Sequence, residues 1–253
     1  MLLEGKTAVI YGGAGSIGSA AAKAFAREGA HVYLAGRTQA TLDRVVDEIR
    51  RSGGSAQAAV VDALDADQVG VHADAVAAAA GGIDISLNVI QHGDVQGTAL
   101  IDMDVEDFRR PVVNAISTTF LTARAAARHM RKQGGGVILI VGGSGPQEFP
   151  RDYKFGGLVV AFEAMETMRR QLATELGPDG IRVLTMRSGG FPSTVPESFE
   201  GRQANVDSIT KSSLLGRAAE LDDVCHALVF AASDRARVMT SATLNVSGGA
   251  LPD

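Results

Sequence analysis

The sequence predicts a doubly wound α/β domain, in which about seven parallel strands form one sheet with helices on both faces. Three observations predict it. Short apolar runs alternate with amphipathic helical stretches along the chain, as in parallel strands joined by right-handed crossovers. Thirty glycines mark tight turns between these elements. The length of 253 residues suits one large α/β domain, so residues 1–253 are predicted to form a single domain.

Each element follows from apolar periodicity and from the glycines or prolines that interrupt it. Pro111 lies within the helix predicted over 104–132 and predicts a break or a fresh start there. The predicted strands are Lys6–Tyr11, His31–Ala35, Ala56–Val61, Ile83–Ile90, Val137–Val141, Ile181–Met186 and Ala242–Val246. The predicted helices are Ser16–Glu28, Thr41–Arg51, 66–80, 104–132, 158–176 and 220–232.

The stretch 187–219 is the least regular part of the chain. It is rich in Gly, Pro, Ser and Thr. A segment of this length and composition is typical of a functional loop, so it is predicted to be a substrate loop or lid. A merely mobile connection is the alternative.

Composition and charge exclude several classes of protein. Hydrophobic residues make up 45% of the chain and charged residues 21%, which excludes a disordered tail, a collagen-like repeat and a coiled coil. The net charge of −5 gives no basic field for nucleic acid or anionic lipid. A single cysteine, Cys225, excludes a disulfide framework. The Ala-rich stretch 73–80 is too short to span a bilayer and no signal-peptide pattern opens the sequence, so a soluble cytoplasmic protein is predicted.

A glycine-rich turn between the first strand and the first helix predicts a nucleotide site. Glycines let the backbone approach a diphosphate, and the free N–H groups of the helix start favour its charge. The second strand ends without the carboxylate usual for NAD and is followed by Arg37, whose guanidinium suits a 2′-phosphate. NADP(H) is therefore favoured over NAD(H). The predicted phosphate-binding residues are Gly12, Gly15, Ser16, Ile17 and Gly18.

These motifs resemble those of the short-chain dehydrogenase/reductase family, in its single-domain branch with a Rossmann fold. The runs Glu175–Val183 and Val246–Gly249 are especially similar to the family. Ser16 is a departure, because the single-domain branch usually has glycine there. The resemblance implies cofactor contacts at Asp62, Ala63, Asn88 and Ile90, and a catalytic role for Asn114.

The resemblance also implies a Tyr as acid/base with a Lys four residues later, and this pair is missing. Residues i and i+4 share a helix face, so the ammonium stabilises the phenolate. Counting back without gaps from Glu175 places the Tyr position at Leu158 and the Lys position at Phe162. The chain is therefore predicted to be an atypical member.

Three other residues are candidates for the chemistry. The resemblance implies a serine after the fifth strand that donates a hydrogen bond to the substrate carbonyl, and Ser144 lies at that place or one residue from it. The alternative is that Ser144 caps a turn between glycines. Tyr153 is a candidate proton donor from the loop before the helix over 158–176. The simpler interpretation is that it is a surface tyrosine on a glycine-rich loop. His92 follows the fourth strand and has a suitable pKa range for acid/base work, although a lone exposed loop histidine is the simpler interpretation.

The sequence leaves three functions open. The favoured one is an NADP(H)-dependent oxidoreductase with a rearranged proton-transfer apparatus, acting on an unknown small organic molecule. A catalytically degenerate nucleotide-binding or scaffolding protein is the second, and a non-redox lyase or isomerase the third. The resemblance implies a homodimer or homotetramer. No metal-ligand spacing is present.

Overall fold

A computed structural model describes residues 1–142, 154–195, 197–198 and 201–251, and its centre is one parallel sheet. All the paired strands run parallel. In chain order the strands are β1 Thr7–Tyr11, β2 His31–Gly36, β3 Ser55–Val60, β4 Ile85–Asn88, β5 Gly136–Gly142, β6 Ile181–Arg187 and β7 Ala242–Asn245. The seven strands confirm the predicted fold class.

Helices connect the strands on both faces of the sheet. They are α1 Ser16–Arg27, α2 Gln39–Arg51, α3 Ala66–Ala80, α4 Val105–Gln133, α5 Leu158–Leu176, α6 Arg202–Ser212 and α7 Leu221–Ala232. None of these helices, within the described ranges, is long and apolar enough to cross a membrane.

The strand order β3-β2-β1-β4-β5-β6-β7 reverses between β1 and β4. The chain winds outward from β1 to β3 and then returns to place β4 beside β1. In sheets of this type, a crevice opens outside the carboxyl ends of the strands at the reversal. This edge is where the fold places a ligand.

The core has two layers, one on each face of the sheet. Successive residues of β1 alternate between them, since a strand points its side chains to opposite faces. Ile10 packs with residues of α1, α2 and α7, whereas Val9 packs with residues of α3, α4 and α5. The sheet is thus covered on both sides, as the near-continuous apolar strands predict.

The expected break at Pro111 is wrong, because α4 runs through it without interruption. Asp104 caps the helix by accepting a hydrogen bond from Glu106 N at 2.8 Å. Pro111 lies in the second turn, so the helix loses a single backbone hydrogen bond near its start. The buried ring also packs against Gly157, where a Cβ would lie 3.0 Å from Pro111 Cγ.

The stretch 187–219 contains a helix, α6, that its composition did not predict. No residue of α6 is buried. The helix therefore has no apolar stripe from which periodicity could identify it. The lid role of this stretch stays a prediction.

Candidate active site

The turn between β1 and α1 brings the backbone against the loop after β4. Gly12 has a φ of +83°, and a Cβ there would lie 2.7 Å from the carbonyl oxygen of Val89. Its N–H donates to the carbonyl of Ala35 at 2.9 Å. A Cβ on Gly18 would overlap the carbonyl oxygen of Gly12. Glycine is therefore required at both positions by close backbone packing.

The N-terminus of α1 faces this turn with its amides uncapped. Gly15 is the N-cap, no side chain caps the helix, and its first turn holds no acidic residue. Ser16 is exposed and Ile17 half-buried. Because the first N–H groups of a helix lack intrahelical partners and carry the positive end of the dipole, they suit a diphosphate.

The end of β2 lies beside the glycine turn, and β3 pairs with β2 on its other side. Val61 N donates to the carbonyl of Gly36 at 2.9 Å, which ties the two strand ends together. Arg37 follows β2 and is exposed. Among the described residues, no carboxylate forms an ion pair with its guanidinium. The exposed guanidinium of Arg37 is therefore available to bind an anionic group of a ligand.

Asp62 and Ala63 follow β3 at the same edge. Asp62 is half-buried, and its carboxylate accepts a hydrogen bond from Leu64 N at 3.0 Å. Ala63 is buried. This bond orients the carboxylate at the edge that carries Arg37.

Asn88 ends β4 and holds the loop that follows it. Its side-chain oxygen accepts from Ile90 N at 3.1 Å, and its amide donates to the hydroxyl of Thr122 at 3.4 Å. Asn88 is buried, and Ile90 is half-buried. The side chain thus fixes the backbone on which Ile90 lies, next to the glycine turn.

Asn114 of α4 holds the next part of the same loop. Its amide donates to the carbonyl oxygen of His92 at 3.0 Å. Asn88 and Asn114 together connect the loop after β4 to α4 at two points. The structure therefore gathers the predicted residues Gly12, Gly15, Ser16, Ile17, Gly18, Arg37, Asp62, Ala63, Asn88, Ile90 and Asn114 around the carboxyl edge of the sheet or the helix beside it.

Leu158 and Phe162 lie in the first two turns of α5, next to the end of β5. Both are half-buried. A Cβ on Gly142, the last residue of β5, would lie 3.6 Å from Phe162 Cδ1. The positions that the resemblance assigns to the Tyr–Lys pair thus present two apolar side chains. Ser144 and Tyr153 lie outside the described residues.

The expectation that His92 is an exposed loop residue is wrong. His92 is only 7% exposed, and its ring lies edge-on to the ring of Phe162 with centroids 6.1 Å apart. Burial lowers the pKa of His92, and the nearby carboxylate of Asp94 opposes this. The position of His92 after β4, at the carboxyl edge of the sheet, was the sequence signal for a functional residue. The polar residues around it in the sequence gave no indication that it is buried.

The glycine turn Gly12–Gly18 and the start of α1, together called the cradle, fit a dinucleotide. A side chain at Gly12 would meet the carbonyl oxygen of Val89, and one at Gly18 would meet the carbonyl oxygen of Gly12, so the turn keeps its tight path only with glycine at both positions. The uncapped amides of α1 then match a diphosphate. Arg37 and Asp62 lie along the same edge of the sheet, after β2 and β3.

Comparison with known proteins identifies the family. A family model described as enoyl-(acyl carrier protein) reductase matches residues 12–250. The chain belongs to the short-chain dehydrogenase/reductase family. A 3α-hydroxysteroid dehydrogenase of Mediterraneibacter gnavus is 31% identical over 99% of this chain and 98% of its own length. An L-rhamnose 1-dehydrogenase (NAD(P)(+)) of Azotobacter vinelandii is 32% identical, over 98% of each chain.

Solved structures of short-chain dehydrogenases/reductases share the fold over nearly the whole chain. One from Mycobacterium ulcerans has a TM-score of 0.89 at 25% identity and covers 99% of this chain and 91% of its own. A 7α-hydroxysteroid dehydrogenase complexed with NADH and 7-oxo glycochenodeoxycholic acid has a TM-score of 0.87 at 27% identity, covering 99% and 96%. The relatives named here are dehydrogenases and the family model is described as a reductase, which confirms the prediction of an oxidoreductase.

Proposed function

We propose that this protein is an NADP(H)-dependent oxidoreductase of a small organic substrate, with an active site that works without a Tyr–Lys pair. The observation that carries the proposal is the cradle at the sheet reversal, where Gly12, Gly18 and the uncapped amides of α1 lie beside the exposed Arg37. The family supports hydride transfer as the reaction class.

Each part of the cradle has a role in holding the cofactor. The amides of α1 bind the diphosphate, Arg37 the 2′-phosphate, and Asp62 and Ala63 the adenosine side. Ile90 and the loop fixed by Asn88 support the nicotinamide side. A nicotinamide cofactor held by these residues would donate a hydride, which carries two electrons, in reduction and would accept one in oxidation.

With Leu158 and Phe162 in place of the Tyr–Lys pair, the site needs another way to transfer the substrate proton. A phenol without an adjacent cation titrates near ~10 and is a poor proton donor or acceptor at neutral pH. Substrates that need little proton help, such as activated double bonds or imines, suit this site, unless another side chain moves the proton. Ser144 and Tyr153 stay predictions as groups that orient the substrate.

Cofactor preference is tested by Arg37→Glu. The substitution removes a charge-assisted bond to the 2′-phosphate, worth about 1.5–3 kcal/mol, so NADPH affinity is expected to fall by about 10-fold to 100-fold while NADH affinity stays nearly constant. Fluorescence titration measures both. Arg235→Glu is the control, because it makes the same charge change at an exposed site after α7. An equal loss for both cofactors in Arg37→Glu would contradict the assignment.

Catalysis is tested by turnover after binding is measured. The oxidation panel with NADP⁺ contains a 3α-hydroxysteroid, L-rhamnose and meso-2,3-butanediol, the compounds named in similar enzymes. The reduction panel with NADPH contains a ketone, an enone and an imine. Tight NADPH binding with no turnover of either panel would favour a nucleotide-binding scaffold. Substrate consumption at constant nicotinamide absorbance would favour a lyase or isomerase.

A further inference from the structure

His92 is held at the carboxyl edge of the sheet by α4. It follows β4, and its carbonyl oxygen accepts from Asn114 Nδ2 at 3.0 Å. Gly93 then turns the chain with a φ of +75°, and a Cβ there would lie 3.2 Å from Arg110 Cδ. The backbone at His92 is therefore fixed against α4.

The imidazole lies beside Phe162, the residue at the position that the resemblance assigns to the missing lysine, with ring centroids 6.1 Å apart. Its ring meets Phe162 at an interplanar angle of 75°, and Phe162 in turn reaches Gly142 at the end of β5. The histidine is thus enclosed between the ends of β4 and β5 and the start of α5. This is the part of the fold where the reacting end of a dinucleotide ligand lies when its diphosphate binds the β1–α1 turn.

The imidazole is buried with an unsatisfied nitrogen. Nδ1 has no hydrogen-bond partner among the residues that the structure describes. An unpartnered buried polar atom costs free energy, so it calls for a ligand or a function. Its charged neighbours are Asp94 on the same loop and, on α4, Arg110, which forms an ion pair with Asp107 at 2.9 Å. From α5 it meets the apolar Phe162.

We propose that the imidazole of His92 transfers the substrate proton in this site, in place of the Tyr–Lys pair. This inference rests on the proposed function. In alcohol oxidation, His92 accepts the hydroxyl proton, the C–O bond becomes a carbonyl, and the carbon gives its hydride with two electrons to NADP⁺. The imidazolium then releases its proton to water. Reduction reverses each step.

The charge state of His92 favours the oxidation direction. Because burial lowers its pKa, the imidazole is neutral at pH 7 and ready to accept a proton. The rate of alcohol oxidation is therefore expected to stay constant as pH falls from 8 to the ordinary histidine range near ~6.5, and to decline only below it.

The kinetic test compares His92→Gln with the unsubstituted enzyme on the fastest alcohol of the panel. Glutamine keeps polarity but does not titrate. NADP⁺ affinity is expected to change less than about 2-fold, while kcat falls by about 10²-fold or more and the decline below the histidine range disappears. His226→Gln on α7, where the histidine is exposed, is the matched control. A His92→Gln enzyme with unchanged kcat, or with the same acidic decline, would overturn the proposal.

A second measurement needs no turnover and no variant. NMR titration of the imidazole C–H signals of the unsubstituted protein gives each histidine pKa with and without saturating NADP⁺. The His92 signal and pKa are expected to shift on binding, whereas the chemical shift of the exposed His226 stays unchanged. Bound NADP⁺ with an unmoved His92 signal would overturn this proposal alone. Failure of NADP⁺ and NADPH to bind would overturn the proposed function and this inference with it.

Discussion

At the residue scale, burial sets the charge of a second histidine, His72 on α3. It packs edge-on against Tyr11 at the end of β1, with ring centroids 5.8 Å apart. Its Nδ1 is buried without a hydrogen-bond partner in the described part of the chain. Desolvation lowers the pKa of His72 to about 4 and raises that of Tyr11. Both side chains are therefore neutral at pH 7.

His72 is expected to make the protein lose stability in mild acid. The unfolded histidine takes up a proton near pH ~6.5, whereas the folded one does so only near about 4. The unfolded state binds more protons in this window, so the free energy of unfolding falls by up to about 3 kcal/mol as pH drops through it. Urea unfolding at several pH values between 7 and 4 measures the slope.

His72→Leu removes this titration and should flatten that part of the slope. His31→Gln, at an exposed histidine on β2, is the control and should leave the slope unchanged. A His72→Leu protein with the original slope would show that other groups cause the acid sensitivity.

At the element scale, the start and the middle of helix α5 differ in chemistry. Its start carries the apolar Leu158 and Phe162, and its middle carries a buried ion pair. Arg169 Nη2 lies 3.0 Å from Glu166 Oε2, which also accepts from Thr243 Oγ1 at 2.9 Å. This pair connects α5 to β7, because Thr243 lies on that strand. The buried ion pair of α5 therefore stabilises the packing of this helix on the sheet.

The strand–turn–helix unit of β1 and α1 is expected to tolerate no side chain at Gly18. Gly18→Ala forces the new Cβ into the carbonyl oxygen of Gly12, so it should lower the free energy of unfolding by about 1–3 kcal/mol and weaken NADPH binding. Thermal unfolding and fluorescence titration measure the two effects.

Gly70→Ala is the matched control, because Gly70 is also helical but has open space around its Cβ position. It should stabilise the protein by up to about 1 kcal/mol through helix propensity and leave NADPH binding unchanged. A Gly18→Ala protein that behaves like Gly70→Ala would show that the cradle is not closely packed.

At the scale of the whole molecule, an apolar face on α4 remains exposed. Val105, Val113 and Phe120 are exposed and are spaced along one side of α4, and Val160 of α5 is also exposed. Exposed apolar side chains grouped on one face are typical of an interface. The predicted homo-oligomer would cover this face.

Val113→Asp is expected to weaken or abolish the oligomer. Val113 is 42% exposed in the single chain, and a charge buried at an interface without a partner costs several kcal/mol. Light scattering coupled to size-exclusion chromatography measures the mass. Val71→Asp on α3, where the valine is 69% exposed, is the control. An unsubstituted protein that is monomeric at high concentration would contradict the prediction.

The sequence predicted most of the fold and the position of the glycine turn between β1 and α1. The apolar periodicity of strands and helices and the spacing of Gly12, Gly15 and Gly18 after β1 were sufficient for these predictions. Both depend only on residues that are close together in the sequence. The sequence missed α6, which has no buried face, and it placed a break at Pro111, where the packing of the ring against Gly157 supports a continuous helix. The burial of His92 was also missed, because contact with Phe162 joins residues far apart in the chain.

The sequence by itself determined the alternation of strands and helices, the glycine turn and the apolar residues at 158 and 162, since each depends on residue type and spacing alone. Only the tertiary structure decided which side chains meet. The return of the chain from β3 to β4 brings the loop after β4 beside the glycine turn, and α4 and α5 enclose His92. Burial and its effect on a pKa arise from such long-range packing, because water is excluded only when distant segments come together.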